Sequence, residues 1–162
     1  MKGNPDVISG LQQAITIEAT LALQYFVDAR DVKRLGLHLG DGLSALHDQC
    51  QDHVGCLVGR LLFLEGAPKL DPKPAATHDK IGDILTEAKA AEEAAVAQFA
   101  VLCKQCYEGD DMSNFHFYQH LAKWHREGDE KFKGHLAWLQ QQLYQLEKLG
   151  ESEYIAVNAV KN

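Results

Sequence analysis

The stretch Leu43–Gly66, LSALHDQCQDHVGCLVGRLLFLEG, decides the fold. Leu43, Leu46, Cys50, His53, Leu57 and Leu61 recur at spacings of three and four, which is one stripe of an α-helix and not the alternation of a strand. Gly66 and Pro68 stop the pattern. Outward toward the N-terminus, a segment from about Asp6 to Leu35 carries Leu11, Ile15, Glu18, Ala22, Tyr25 and Ala29 on one stripe, and Gly36 ends or interrupts it. Toward the C-terminus, Ala67–His78 turns to Pro, Lys, Asp and Ala and reads as an extended connection. A third helix is predicted from about Asp79 to Glu108, with Leu85, Ala88, Glu92, Ala95, Phe99, Leu102 and Cys106 inward. A fourth is predicted from Ser113, a plausible N-cap, to Leu149, with Tyr118, Leu121, His125, Gly128, Phe132, His135, Leu139 and Leu146 inward. Tyr154, Ile155 and Val157 suggest a short fifth helix.

Two short connections flanking a long one suit an all-α four-helix bundle made of two helical hairpins joined by a crossover. The length of 162 residues fits a single domain spanning residues 1–162. Sixteen Lys and Arg against 23 Asp and Glu give a net charge of -7. No basic footprint for nucleic acid or an anionic membrane exists, so small cations are the more natural partners. No apolar run approaches the roughly 20 residues of a membrane span. Residues 1–13 lack the pattern of a secretory signal, so the expected compartment is the cytoplasm and the expected state of Cys50, Cys56, Cys103 and Cys106 is reduced.

Polar groups interrupt the apolar stripe of every long helix: Glu18, then Cys50 with His53, then Glu92, then His125 and His135. A lone buried carboxylate is costly, so such positions call for partners, of which a metal ion is one and hydrogen-bonded core residues are the other. Cys50 and His53 share a helix face within reach of one ion. Carboxylate and imidazole suit iron, manganese or zinc, whereas a thiolate shifts preference toward zinc or copper. Tyr25, two turns from Glu18, is placed either to hydrogen-bond a ligating carboxylate or to serve as ordinary core.

Cys103 and Cys106 lie inside the third helix, roughly 16 Å from Glu92 along the axis, and read as small core residues. His116 and His120 form an i, i+4 pair on the outer face of the fourth helix, read as solvent-exposed ahead of a surface metal or pore site. No Ser-His-Asp set or Gly-rich phosphate loop is present, which weakens hydrolase and kinase readings.

Several blocks in order resemble the bacterioferritin family. They are Met1-Lys2-Gly3 with Val7-Ile8, Gln24-Tyr25-Phe26 with Ala29-Arg30, Arg60-Leu61-Leu62-Phe63-Leu64-Glu65-Gly66 with Pro68, Gly134-His135-Leu136-Ala137-Trp138-Leu139, and Leu149-Gly150 before Tyr154-Ile155. The resemblance implies a ferritin-like bundle that assembles as a hollow homo-oligomer of 24 subunits, oxidises Fe(II) at a buried di-iron centre and stores the Fe(III) mineral. A shell mixed with an active paralogue, or a shell without ferroxidase activity, is the alternative.

The family's ligand pattern is one Glu on the first helix, Glu-x-x-His on the second, Glu on the third and Glu-x-x-His on the fourth. Glu18, His53, Glu92 and His135 match it. Cys50 stands where the second-helix Glu is expected, and Phe132 stands three residues before His135. The fourth helix also carries seven extra residues before Gly134-His135 when aligned from Glu92. If these lie outside the site, His125 takes the place of the missing Glu; if they precede it, Phe132 does. The continuous Gly-His-x-x-Trp-Leu block tips the sequence reading toward His135 with a degraded partner position. The family also binds haem between two subunits through paired Met residues. Gln51 occupies that position, a poor substitute for a thioether, which leaves His47 as the candidate haem ligand against an interface or solvated histidine.

Overall fold

The computed structural model of the protein describes residues 3–128 and 133–161. Its helices are α1 (Pro5–Arg34), α2 (Leu39–Phe63), α3 (Ile81–Glu108), α4 (Met112–Arg126), α5 (His135–Leu149) and α6 (Glu151–Asn158), with no strand among the described residues. Among the described residues no helix is long and apolar enough to cross a membrane. The described residues fall into two compact units, 3–77 with 158–161 and 78–157.

In the first unit α1 and α2 form an antiparallel hairpin. Lys33 pairs with Asp41, His47 with the Ala22 carbonyl, and His53 with Glu18, so positions advance along α2 as they retreat along α1. Asn4 caps α1 by accepting from the Asp6 N–H, with Pro5 in the first turn where its missing donor costs nothing. Gly36, at φ 71°, supplies the left-handed turn between the helices. The predicted stripes are the buried ones: Leu11, Ile15, Ala22, Tyr25 and Ala29 on α1, and Leu43, Leu46, Cys50, Leu57 and Leu61 on α2.

The extended connection after α2 is tied to α1 by side chains one or two turns apart. Gln12 exchanges hydrogen bonds with the backbone of Lys69, Thr20 Oγ1 accepts from the Lys73 N–H, and Gln24 exchanges two bonds with the backbone of Ala76. These amides give an irregular segment the backbone partners that a sheet would otherwise supply. Near the C-terminus, residues 158–160 pair with the α1–α2 turn through His38 N–H to the Asn158 carbonyl and Val160 N–H to the Gly36 carbonyl.

In the second unit α3 lies antiparallel to both α4 and α5. Cys103 faces Phe115, Glu92 faces His125 and His135, and Gly82 faces Leu146. Asp111, not Ser113, caps α4, its carboxylate accepting from the Asn114 N–H at 3.1 Å; an anion there also meets the positive end of the helix dipole. The tail forms α6 as expected, with Tyr154 buried and its hydroxyl donating to Gln142 at 2.7 Å.

The expected fourth helix over residues 113–149 is not continuous. α4 ends at Arg126, α5 starts at His135, and Gly128 and Lys133 form an isolated antiparallel bridge across the interruption. Gly128 sits at φ 74°, a conformation that ends a helix and that other residues adopt at a cost. A Cβ on Gly134 would fall 2.5 Å from the backbone nitrogens of Glu127 and Gly128, so the backbone at Gly134 lies close against that at Glu127 and Gly128. Phe132, the second alternative for the missing carboxylate position, lies outside the described residues.

Candidate metal centre

Glu92 is fully buried in the middle of α3, on the stripe of Leu85, Ala88, Ala95 and Phe99. Each of its two oxygens meets one imidazole. His125 Nδ1 lies 2.7 Å from Oε2 and His135 Nδ1 lies 2.9 Å from Oε1, and both histidines are also fully buried. An ionised carboxylate only accepts, so both rings carry their proton on Nδ1 in this arrangement. The rings stand edge to face with centroids 4.5 Å apart, and Phe99 packs against His125 at 5.5 Å.

Burial by itself raises the pKa of Glu92. The charge and hydrogen bonds of His125 and His135 outweigh that and hold it well below the usual carboxylate range. The carboxylate is therefore anionic in a site closed to water. One donor atom from each of Glu92, His125 and His135 falls within 4.8 Å of the others, close enough to converge on a single cation. The donor set, one carboxylate and two imidazoles, fits a divalent transition metal ion.

The interruption after α4 is what assembles this group. In an unbroken helix, residues 125 and 135 would stand roughly 15 Å apart along the axis, too far for both to reach one carboxylate. With α4 ending at Arg126 and α5 starting at His135, the last turn of α4 and the first residue of α5 both face Glu92. His125 and His135 are thus the two residues of α4 and α5 brought to Glu92. Gly128 and Gly134, six apart within an apparently helical stretch, were the signal in the sequence for this break.

The first unit holds a second acid–imidazole pair. Glu18 is fully buried on α1, and His53 Nδ1 lies 3.2 Å from its Oε1. Cys50 is buried on α2 but belongs to no group of three donors among the described residues. Tyr25 is buried on α1. His47 is half-buried, its Nδ1 2.8 Å from the Ala22 carbonyl oxygen and its ring 5.5 Å from Phe26, while Gln51 is exposed. His116 and His120 are exposed on α4. Cys106 is buried, and Cys103 is half-buried with its thiol 3.7 Å from the Phe115 carbonyl; burial pushes the Cys103 pKa up.

A helical chain whose interior acids face imidazoles belongs to a known class: the ferritin-like domain family model matches residues 8–148, and the chain belongs to that family. Within it the protein is bacterioferritin-like. It is 29% identical over 157 residues to the bacterial ferritin of Paramagnetospirillum magnetotacticum, covering 96% of this chain and 93% of that one. It is 29% identical over 167 residues to the bacterioferritin of Brucella melitensis, covering 98% and 96%. The solved bacterioferritin of Rhodobacter capsulatus, described with a metal-free dinuclear site and a haem iron, matches with a TM-score of 0.89 at 26% identity over 99% of this chain and 98% of that one. The fold class read from the sequence, a ferritin-like four-helix bundle, is the one found.

Proposed function

We propose that this chain is a single ferritin-like domain that forms a hollow, cytoplasmic iron-storage cage, 24 subunits in the family's manner, and takes up Fe(II) through Glu92, His125 and His135. The observation that carries the reading is the buried Glu92 carboxylate with an imidazole on each oxygen. An anionic group closed to water gains most from a cation, because the low dielectric strengthens their attraction. Glu18 and His53 are proposed as a further pair of iron ligands, with Tyr25 supporting Glu18 and Cys50 as an additional donor.

Oxidation of the bound Fe(II) by O₂ at this altered site is the leading reading. A second reading, a shell subunit without ferroxidase activity, alone or mixed with an active paralogue, is favoured by one observation: both partners of Glu92 are imidazoles, His125 and His135, which bring no negative charge for Fe(III). Stopped-flow mixing of Fe(II) with aerobic protein separates the two. Oxidation faster than the buffer blank and lost in Glu92→Ala supports the first; a rate equal to the blank sinks it. Size-exclusion chromatography that finds only dimers overturns the cage. Haem is not assigned to the proposed subunit, since Gln51 offers an amide where the family's manner of binding calls for a thioether; a haemin titration with an unshifted Soret band is expected.

A further inference from the structure

We infer that His116 and His120 together chelate one divalent ion of the kind that nitrogen donors select, Ni²⁺, Cu²⁺ or Zn²⁺, on the exposed face of α4. The pair faces away from the buried His125 on the same helix, and its binding does not depend on the reading of Glu92, His125 and His135 as iron ligands.

The two rings differ from every other imidazole of the chain. Of its eight histidines, six set a ring nitrogen against a carboxylate or a backbone carbonyl. His116 and His120 make no hydrogen bond or ion pair among the described residues. Their contacts run through the rings alone, His116 edge-on to Phe115 at 5.3 Å and His120 tilted against Trp124 at 6.1 Å. Their nitrogens are therefore left to solvent or to a ligand.

Helix geometry brings these nitrogens together. Both residues lie inside α4, four positions apart, which sets their Cβ atoms about 5–6 Å from each other on one face. Two imidazoles at that spacing reach a single ion, as the His-x-x-x-His pair of a zinc-binding helix does. Because the helix fixes both rings, the second bond forms within the molecule, and the pair binds more tightly than either ring alone.

The donors also set the choice of ion. A ligating imidazole is neutral and brings no charge, and the next residue along the same face is the exposed cation Lys123. Hard ions held mainly by carboxylates and other oxygen ligands, such as Mg²⁺ and Ca²⁺, gain little here. Affinity should instead rise from Mn²⁺ through Co²⁺ and Ni²⁺ to Cu²⁺. Two protein donors leave the remaining coordination positions to water, so the ion exchanges with solvent.

The test is carbethoxylation of the full chain by diethyl pyrocarbonate at pH 7, with and without Ni²⁺, read residue by residue by peptide mass spectrometry. Ni²⁺ is the probe because Cu²⁺ would also meet the exposed thiol of Cys56. With Ni²⁺ at about ten times its Kd, modification of His116 and His120 should slow about tenfold, while the exposed His38 is unchanged. Mg²⁺ at the same concentration should protect neither. In His116→Gln the protection of His120 should be lost, and in His120→Gln that of His116, a reciprocity that two separate one-ligand sites do not produce. Both side chains are exposed, so neither change disturbs the core, and an unaltered His38 rate in each variant checks this. Equal rates with and without Ni²⁺, or protection of either histidine that survives loss of the other, overturns the chelate.

Discussion

His125 and His135, ten positions apart in the chain, direct their Nδ1 atoms at the two oxygens of one buried carboxylate, that of Glu92, at 2.7 and 2.9 Å. Neither α4 nor α5 alone creates this relationship. It depends on the chain leaving the helix after Arg126 and re-entering it at His135.

The close approach of Gly134 to Glu127 and Gly128 is the first point at which to test it. Gly134→Ala places a methyl 2.5 Å from the backbone nitrogens of Glu127 and Gly128, atoms that cannot rotate away. The variant is expected to lose about 2 kcal/mol of stability in urea denaturation. Its affinity for divalent metal should fall as well, because moving Gly134 away from Glu127 moves His135 relative to His125.

Glu92→Ala leaves two buried imidazoles facing a cavity and is expected to destabilise the metal-free protein by about 3 kcal/mol. Glu92→Gln keeps the volume and one acceptor oxygen, so its loss should be smaller. Equilibrium denaturation of the two variants in the presence of a chelator compares them directly. Equal losses would count against a buried charge at this position.

Stability should fall with acid partly through Glu92. Its folded-state pKa is lower than its ordinary value of 4.5, so the unfolded chain takes up a proton there before the folded one does. The stabilisation is complete above about pH 4.5 and is lost progressively as pH falls below that value toward the folded pKa. Unfolding free energies measured between pH 6 and about pH 3 should therefore drop more steeply for the native sequence than for Glu92→Gln.

The crossover gives an independent prediction. Gln24 makes two hydrogen bonds to the backbone of Ala76, and Gln12 makes two to Lys69. Gln24→Ala should cost about 1–2 kcal/mol. Limited proteolysis should cut between residues 67 and 78 faster in the double variant Gln12→Ala/Gln24→Ala than in the native chain. Identical cleavage rates would show that these amides do not hold the segment.

The helices and their buried stripes were legible because a 3.6-residue period writes itself directly into the order of apolar side chains. Glu18, Glu92 and His125 stood out for the same reason, as polar residues on stripes otherwise apolar. The break in the fourth helix was less visible. A heptad insertion returns to nearly the same helix face, so Tyr118 through Leu146 kept their apparent stripe although the helix does not run through. The Ser113 cap failed on a local competition that Asp111 wins by its charge.

The sequence by itself determined an all-helical, bacterioferritin-like chain and the residue types of its interior, because periodicity and composition are local properties. Tertiary structure decided which of those residues meet. That α4 ends at Arg126 and α5 starts at His135, with Gly134 close against Glu127 and Gly128, is a tertiary arrangement, and it brings His125 and His135 to the same carboxylate.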